Sequence, residues 1–189
     1  MTVILRRTIL SALAAVPLPV FAMSHADLVY ENGMLSWPGG TAQAACGKAG
    51  VRADKREGDH ASPAGTFPLL RAFYRPDRIA PPQTSLPLAA LSQSDGWCDD
   101  PADPRYNTLV GLPYPASHEE LWRADGLYDL IVVIGYNAAP VVPGKGSAIF
   151  LHCARPDFTG TEGCIAIACE ALAPLLGLLG PGSRITIKT

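Results

Sequence analysis

The sequence has 189 residues, 48% of them hydrophobic and 17% charged, so it supports one globular domain with a substantial core. The formal net charge is −2 and no basic stripe runs along the chain, which argues against a nucleic-acid-binding function. Glycine and proline occur 18 times each, a composition that favours turns and short strands over long helices.

The first 26 residues predict a secretory signal peptide. Arg6 and Arg7 form a short basic region, an apolar run extends from about Thr8 to Met23, and small residues typical of a cleavage site follow. An uncleaved anchor is the alternative, and the arginine pair loosely resembles a twin-arginine signal. We therefore expect cleavage near residue 26 and an exported domain that comprises residues 27–189.

The first half of this domain predicts strands followed by loops. Residues 27–37, DLVYENGMLSW, place Asn-Gly between apolar runs, which indicates a tight hairpin. Residues 66–75, TFPLLRAFYR, predict a strand that follows a turn capped by Asp59. Residues 76–115 are rich in Pro, Asp and Ser and predict loops.

The second half predicts one short helix and then mostly strands. In SHEELWR, Ser117 is a candidate N-cap and Glu120 would complete a capping box. Three apolar runs predict buried strands, and EALAPLLGLLG predicts a helix before the last strand, RITIKT. The runs are YDLIVVIGY, SAIFLHC and CIAIA. The sequence therefore predicts a mainly β, single-domain sandwich or half-barrel with a few short helices.

A histidine and a cysteine stand at two strand ends of this pattern. His152 closes SAIFLH, and Cys164 follows a glycine and opens CIAIA, so the intervening loop returns both side chains to one sheet edge. An imidazole beside a thiol lowers the thiol pKa and makes it a nucleophile. The alternative is that both residues only pack the core.

The five cysteines, at positions 46, 98, 153, 164 and 169, allow disulfides in an oxidising compartment and leave at least one thiol unpaired. None of them forms the C-x2-C pair of a zinc site. If a disulfide forms, we expect Cys46–Cys98, because both lie in turn-rich segments. Cys153 and Cys169 lie in or beside apolar runs, where free thiols are common.

Several motifs in sequence order resemble the L,D-transpeptidase (YkuD-type) catalytic domain. The segment FLHCARPDFTGTEGCIAI is similar to its active-site segment, and KREGDHASPAGTFPL is similar to an upstream turn and strand, with Ser62 in place of Thr. The motifs GWCDDPADPRYN, SHEELWRADGLYDLIVVIGYN and GSAIFLH resemble a divergent proteobacterial subgroup. The resemblance runs from about Gly47 to Ile187.

This resemblance implies roles for individual residues. Cys164 matches the nucleophile and His152 the base. The Cys153 carbonyl matches the group that orients the imidazole. The amides of Gly163 and Cys164 match the oxyanion hole. Thr161 matches a Ser/Thr of the motif, and we expect it to contribute to substrate binding.

Three departures from the family pattern affect substrate recognition. Glu162 replaces a histidine, Ala166 replaces an arginine, and His152 and Cys164 lie only 12 residues apart in the sequence. We expect Arg155, or Arg123, to supply the missing charge.

Aromatic residues with polar tips suit a wet peptide cleft. Trp97, Tyr136 and Asn137 are therefore candidates for the cleft, with packing in the core as the alternative.

The resemblance implies a periplasmic peptidoglycan L,D-transpeptidase that acts through a cysteine acyl-enzyme, without a metal or nucleotide cofactor. Its partners would be donor and acceptor stem peptides, with carbapenem-type inhibitors acylating the same thiol, and we expect a monomer. Hydrolysis by the same site (carboxypeptidase, endopeptidase or amidase), an unusual 1-3 cross-link and a non-catalytic wall-binding module are alternatives. A papain-like peptidase places Cys before His, the reverse of the order here.

Overall fold

The computed structural model describes residues 25–189, so the predicted signal peptide, apart from its last two residues, lies outside the described part. The elements in chain order are β1 (Leu28–Glu31), β2 (Met34–Trp37), β3 (Gly40–Ala45), β4 (Val51–Arg52), β5 (Ser62–Pro63), β6 (Gly65–Tyr74), β7 (Leu88–Ala90), β8 (Asp95–Cys98), β9 (Leu109–Gly111), β10 (His118–Glu120), β11 (Leu130–Ile134), β12 (Phe150–Cys153), β13 (Ile165–Ile167), α1 (Cys169–Leu176) and β14 (Arg184–Ile187).

Nine of these strands form one sheet in the order β11-β12-β13-β3-β2-β1-β14-β6-β7. The long strand β6 pairs with β14 through its first half and with β11 through its second half, so the sheet closes on itself. Two smaller sheets accompany it, β10-β8-β9 and β4-β5. The mainly β fold predicted from the sequence is confirmed.

The local signals for the hairpin and the central strand are also confirmed. Asn32 and Gly33 have φ angles of 50° and 77° and connect β1 to β2, as a tight hairpin turn requires. All five residues of β11 are buried. The strand has neighbours on both sides and apolar side chains against both of its faces, which explains its continuous apolar sequence.

Residues 76–120 differ from the prediction. The segment expected to be loops contains β7, β8 and β9, and SHEELWR contains β10 instead of a capped helix. Glu119 lies opposite Trp97 in the antiparallel pair of β10 and β8. The capping box is a local preference of about 1 kcal/mol, and non-local strand pairing together with the complete burial of Leu121 overrides it.

Two apolar clusters lie on the two faces of β11 and β12. Leu130, Val132 and Leu151 belong to one cluster, which also packs against α1. Ile131 and Phe150 belong to the other, beneath the small sheet. The predicted helix near residue 170 is confirmed as α1. Within residues 25–189, no helix has both the length and the apolar character that crossing a membrane requires.

Candidate active site

Parallel pairing of β12 with β13 brings His152 and Cys164 to one face. Leu151 lies opposite Ile165, and His152 lies opposite Ala166. Side chains two residues apart share a face of a strand, so Cys164 and Ala166 lie on the His152 face. Both His152 and Cys164 line one cavity of about 320 Å³. The sequence expectation that the loop returns them to one place is therefore met.

The His152 ring is held in one orientation. Its Nδ1 lies 2.8 Å from the carbonyl oxygen of Cys153. A carbonyl oxygen only accepts hydrogen bonds, so Nδ1 carries the proton and Nε2 has the free lone pair. This contact is the one that the resemblance implies for Cys153. Burial lowers the pKa of His152 from 6.5 to about 4, so the ring is neutral at pH 7 and able to accept a proton.

The Cys164 thiol is buried and neutral in this structure. Its Sγ donates to the Ala148 carbonyl oxygen at 3.2 Å and accepts from the Phe150 amide at 3.3 Å. Burial, and then the Glu119 carboxylate, raise the pKa of the thiol well above 9.0. The expectation that His152 lowers this pKa is wrong for the empty site. The thiol must therefore lose its proton as it reacts, to a base already in place.

The turn before Cys164 requires a glycine. Gly163 has φ = 143°, and a Cβ there would lie 2.9 Å from the Ala61 carbonyl oxygen. Both the positive φ angle and the close carbonyl oxygen disfavour a side chain at this position. The Ser62 hydroxyl donates to the Gly163 carbonyl at 2.8 Å and accepts from the Gly47 amide at 2.9 Å. Ser62 therefore ties the turn to the segment that resembles the family's upstream motif.

Thr161 also shapes this turn. Its hydroxyl donates to the Cys164 carbonyl at 2.6 Å and accepts from the Gly163 amide at 3.1 Å. Thr161 lines the cavity, but its hydroxyl is already hydrogen-bonded to two backbone groups. The Gly163 amide, expected to be an oxyanion donor, is occupied in the empty site and would have to exchange Thr161 for a substrate oxygen.

Sequence reasoning missed a tyrosine that contacts His152 and a half-buried glutamate that is bonded to this tyrosine. The Tyr128 ring packs edge-to-face on the imidazole, with centroids 5.2 Å apart. Its hydroxyl donates to Glu119 at 2.6 Å. Burial raises the pKa of Glu119. Tyr128 opens the apolar run before β11 and Glu119 sits in SHEELWR, but no local pattern in either segment points to the site.

Charged residues line the mouth of the cavity. Glu162 forms an ion pair with Lys48 and a hydrogen-bond contact with His60 Nδ1, and all three side chains are exposed. Arg123 pairs with Asp125 at 2.6 Å.

Arg155 also lines the cavity and is exposed. Within residues 25–189 the structure gives its guanidinium no ion-pair partner. Arg155 is therefore available to a ligand, whereas Arg123 is already paired.

Three predicted cleft residues lie elsewhere. The Trp97 indole donates to Asn107 at 2.9 Å and packs edge-to-face on Phe150 in the apolar core. The Tyr136 hydroxyl donates to the Lys145 carbonyl at 2.6 Å, and Asn137 bonds backbone groups of residues 142 and 146. None of these three residues lines the cavity that His152 and Cys164 share, because their aromatic and amide groups complete loops and the core.

The cysteine pairing also differs from the prediction. Cys153 and Cys169 form a disulfide with Cα atoms 4.7 Å apart, whereas Cys46 and Cys98 are free thiols. Cys46 follows β3 of the large sheet and Cys98 ends β8 of the small one, so the fold separates them. The packing of α1 against β12 joins Cys169 to Cys153.

The described residues contain no cluster of three or more His, Cys, Asp or Glu side chains arranged to hold a metal ion.

Comparison with protein-family models matches residues 24–187 to the L,D-transpeptidase catalytic domain, YkuD. Comparisons with curated proteins and with solved structures returned no match. The family match spans nearly all of the described residues, including both strands that carry His152 and Cys164. It confirms the resemblance drawn from separate sequence motifs. The chain therefore belongs to the YkuD family of L,D-transpeptidase catalytic domains.

Proposed function

We propose that the protein is a periplasmic, cysteine-dependent L,D-transpeptidase that cross-links peptidoglycan stem peptides. The observation that carries this proposal is the neutral, oriented His152 sharing a cavity with the Cys164 thiol. A neutral imidazole with a fixed Nδ1–H is a competent general base through Nε2. A non-catalytic wall-binding module would not need this arrangement.

Acylation begins when the Cys164 sulfur attacks a peptide carbonyl of the donor stem. The thiol proton passes to His152 Nε2, the C–S bond forms, and the carbonyl oxygen becomes an oxyanion. When the C–N bond breaks, His152 returns the proton to the leaving amine, and a thioester remains on Cys164. The Cys153 carbonyl stabilises the transient imidazolium, because its oxygen accepts a hydrogen bond from Nδ1–H.

Deacylation is the same sequence in reverse, with an amine of a second stem as the nucleophile. The amine attacks the thioester carbonyl and gives a proton to His152, the new C–N bond forms and the C–S bond breaks. His152 then returns the proton to the Cys164 sulfur, which regenerates the thiol. Water in place of the amine would give the hydrolase alternative. The small sheet β8–β10 packs on the Phe150 side of the site and restricts solvent there, which favours an amine bound in the cavity over bulk water.

Donor recognition uses Arg155 in this proposal. Ala166 lies opposite His152 and lines the cavity without a polar group. Arg155, exposed and lining the same cavity, would pair with a stem-peptide carboxylate, as guanidinium groups do well.

Incubation of the purified protein with muropeptides, followed by product masses, tests the proposal. Dimeric muropeptides that are absent with Cys164→Ala would support transfer. Free stems without dimers, at high acceptor concentration, would establish the hydrolase instead. The dimer masses and fragments would also distinguish a 3-3 from a 1-3 cross-link.

Export has separate support. The basic and apolar residues of the N-terminus are typical of a signal peptide, and a disulfide is stable in an oxidising compartment. Cell fractionation with N-terminal sequencing of the mature protein tests this part. Full-length protein retained in the cytosol would contradict it.

A further inference from the structure

Cys153 connects the catalytic base to the rest of the fold at three points. Its carbonyl accepts the His152 Nδ1–H at 2.8 Å. Its amide donates to the Leu127 carbonyl at 3.1 Å. Its sulfur is bonded to Cys169. The residue that orients the imidazole is therefore also half of the disulfide.

The disulfide anchors a strand end that is followed by an exposed loop. Cys153 is the last residue of β12, and the chain then leaves the sheet through exposed residues 155–157. Cys169 is the first residue of α1, which is fixed to the core by the buried side chains of Leu172, Leu175 and Leu176. The covalent bond thus joins the strand end to a packed helix.

The disulfide also anchors the N-terminal end of α1. Ala168 occupies the N-cap position, and no side chain caps the first turn. Without the disulfide, the β12 terminus and the first turn of α1 would be joined only by noncovalent packing and backbone hydrogen bonds. The Cys153 carbonyl is the group most affected, because its position sets the direction of the His152 ring.

We propose that the Cys153–Cys169 disulfide is a positioning element for His152, which holds the orienting carbonyl so that Nε2 faces the cavity. This inference rests on the proposed function for its catalytic consequence, but not for its structural one. Breaking the bond should release the carbonyl, allow the imidazole to adopt both tautomers and orientations, and slow the proton transfers that Cys164 needs.

The bond is accessible to reagents. Cys169 is half-buried and lines a surface cavity of about 320 Å³ on the α1 side of the molecule. A small dithiol such as dithiothreitol would transfer two electrons to the disulfide, giving two thiols on the protein and the cyclic disulfide of the reagent. Cys164 is a free thiol and would not be changed by this reaction.

The test compares wild-type protein with the double variant Cys153→Ser/Cys169→Ser, which leaves no thiol at residue 153 to pair with Cys164. Cys46→Ser is the matched control, because it removes a half-buried free thiol outside the cavity. Wild-type protein reduced with dithiothreitol supplies the same comparison if the double variant does not fold. The ring nitrogen NMR shifts of His152, assigned with His152→Gln, report its tautomer, and muropeptide kinetics report kcat and KM.

We expect the double variant and the reduced protein to lose the single Nδ1–H tautomer and to show kcat lower by roughly tenfold, with KM within about twofold. A lower melting temperature with an unchanged tautomer and kcat would overturn the inference, because the disulfide would then be a cross-link only. A lower kcat with an unchanged tautomer would also overturn it. If wild-type protein forms no product, the proposed function fails, and the tautomer comparison still decides the positioning role.

Discussion

The buried imidazole of His152 should make the stability of the protein depend on pH between 6.5 and 4. His152 is 5% exposed, and burial lowers its pKa from 6.5 to about 4. Nearby Arg123 lowers this pKa further, while the Cys153 carbonyl and Asp125 oppose the shift. The unfolded chain therefore binds a proton at this residue near pH 6.5, whereas the folded protein binds it only near pH 4.

The sign and size of the effect follow from this difference. The contribution of His152 to the free energy of unfolding is complete above pH 6.5. It is lost as the pH falls toward 4, because the unfolded chain then binds a proton at this residue more readily than the folded protein does. One pKa unit corresponds to about 1.36 kcal/mol, so the full loss is about 3.4 kcal/mol, of which about 2 kcal/mol is lost by pH 5. Most carboxylates titrate below pH 5. Burial raises the pKa of Glu119, but Glu119 is present in both wild type and His152→Gln, so the difference between the two proteins reports His152.

Urea unfolding at pH 8, 6.5, 5.5 and 5 measures the effect. His152→Gln should have a flatter pH dependence by about 2 kcal/mol between pH 8 and 5, whatever its absolute stability. His118→Gln is the control, because His118 is half-buried, outside the cavity, and bonded only to the Ala116 carbonyl. Parallel profiles for wild type and His152→Gln, or an NMR titration of His152 near pH 6.5, would refute the reasoning.

Three further predictions concern the turn before Cys164, the nucleophile itself and the mouth of the cavity. Gly163→Ala should lose roughly 1–3 kcal/mol in urea unfolding, because its backbone conformation excludes a side chain, whereas Gly111→Ala, at an open position, should lose less than about 1 kcal/mol. Cys164→Ala should abolish muropeptide turnover at a cost of about 1–3 kcal/mol in stability, and normal turnover would disprove its role. Arg155→Ala should slow turnover roughly 10- to 100-fold while leaving iodoacetamide labelling of Cys164 unchanged, with Arg52→Ala as an exposed control; equal loss of both would assign Arg155 to the fold.

Much of the fold could be predicted because its signals are local. The Asn32-Gly33 turn needs only the φ angles that these two residues adopt readily. The apolar run that contains β11 reflects burial on both faces. His152 and Cys164 were identifiable because a histidine and a Gly-Cys pair stand at strand ends, where side chains of adjacent strands meet.

The errors concern features that depend on distant parts of the chain. The strand β10 exists because β8 pairs with it, and Trp97 packs in the core against Phe150. The disulfide depends on where α1 packs. The raised thiol pKa depends on burial and on Glu119, which the small sheet supplies. None of these contacts leaves a periodic or spacing signal near the residue concerned.

The parallel pairing of β12 and β13 separates the geometry of the catalytic pair from the length of the segment between its members. The ladder between Leu151 and Ile165, together with the hydrogen-bonded turn of Thr161 and Gly163, sets how His152 faces Cys164, whereas residues 154–160 only return the chain to that turn. For a flexible segment, doubling its length costs only about 0.6 kcal/mol of closure entropy. Insertions and deletions in this segment can therefore reshape the rim that a ligand meets first, while the thiol and imidazole keep their relative placement. The short spacing of 12 residues between His152 and Cys164 therefore affects how a ligand reaches the cavity, and not how the thiol and the imidazole are placed.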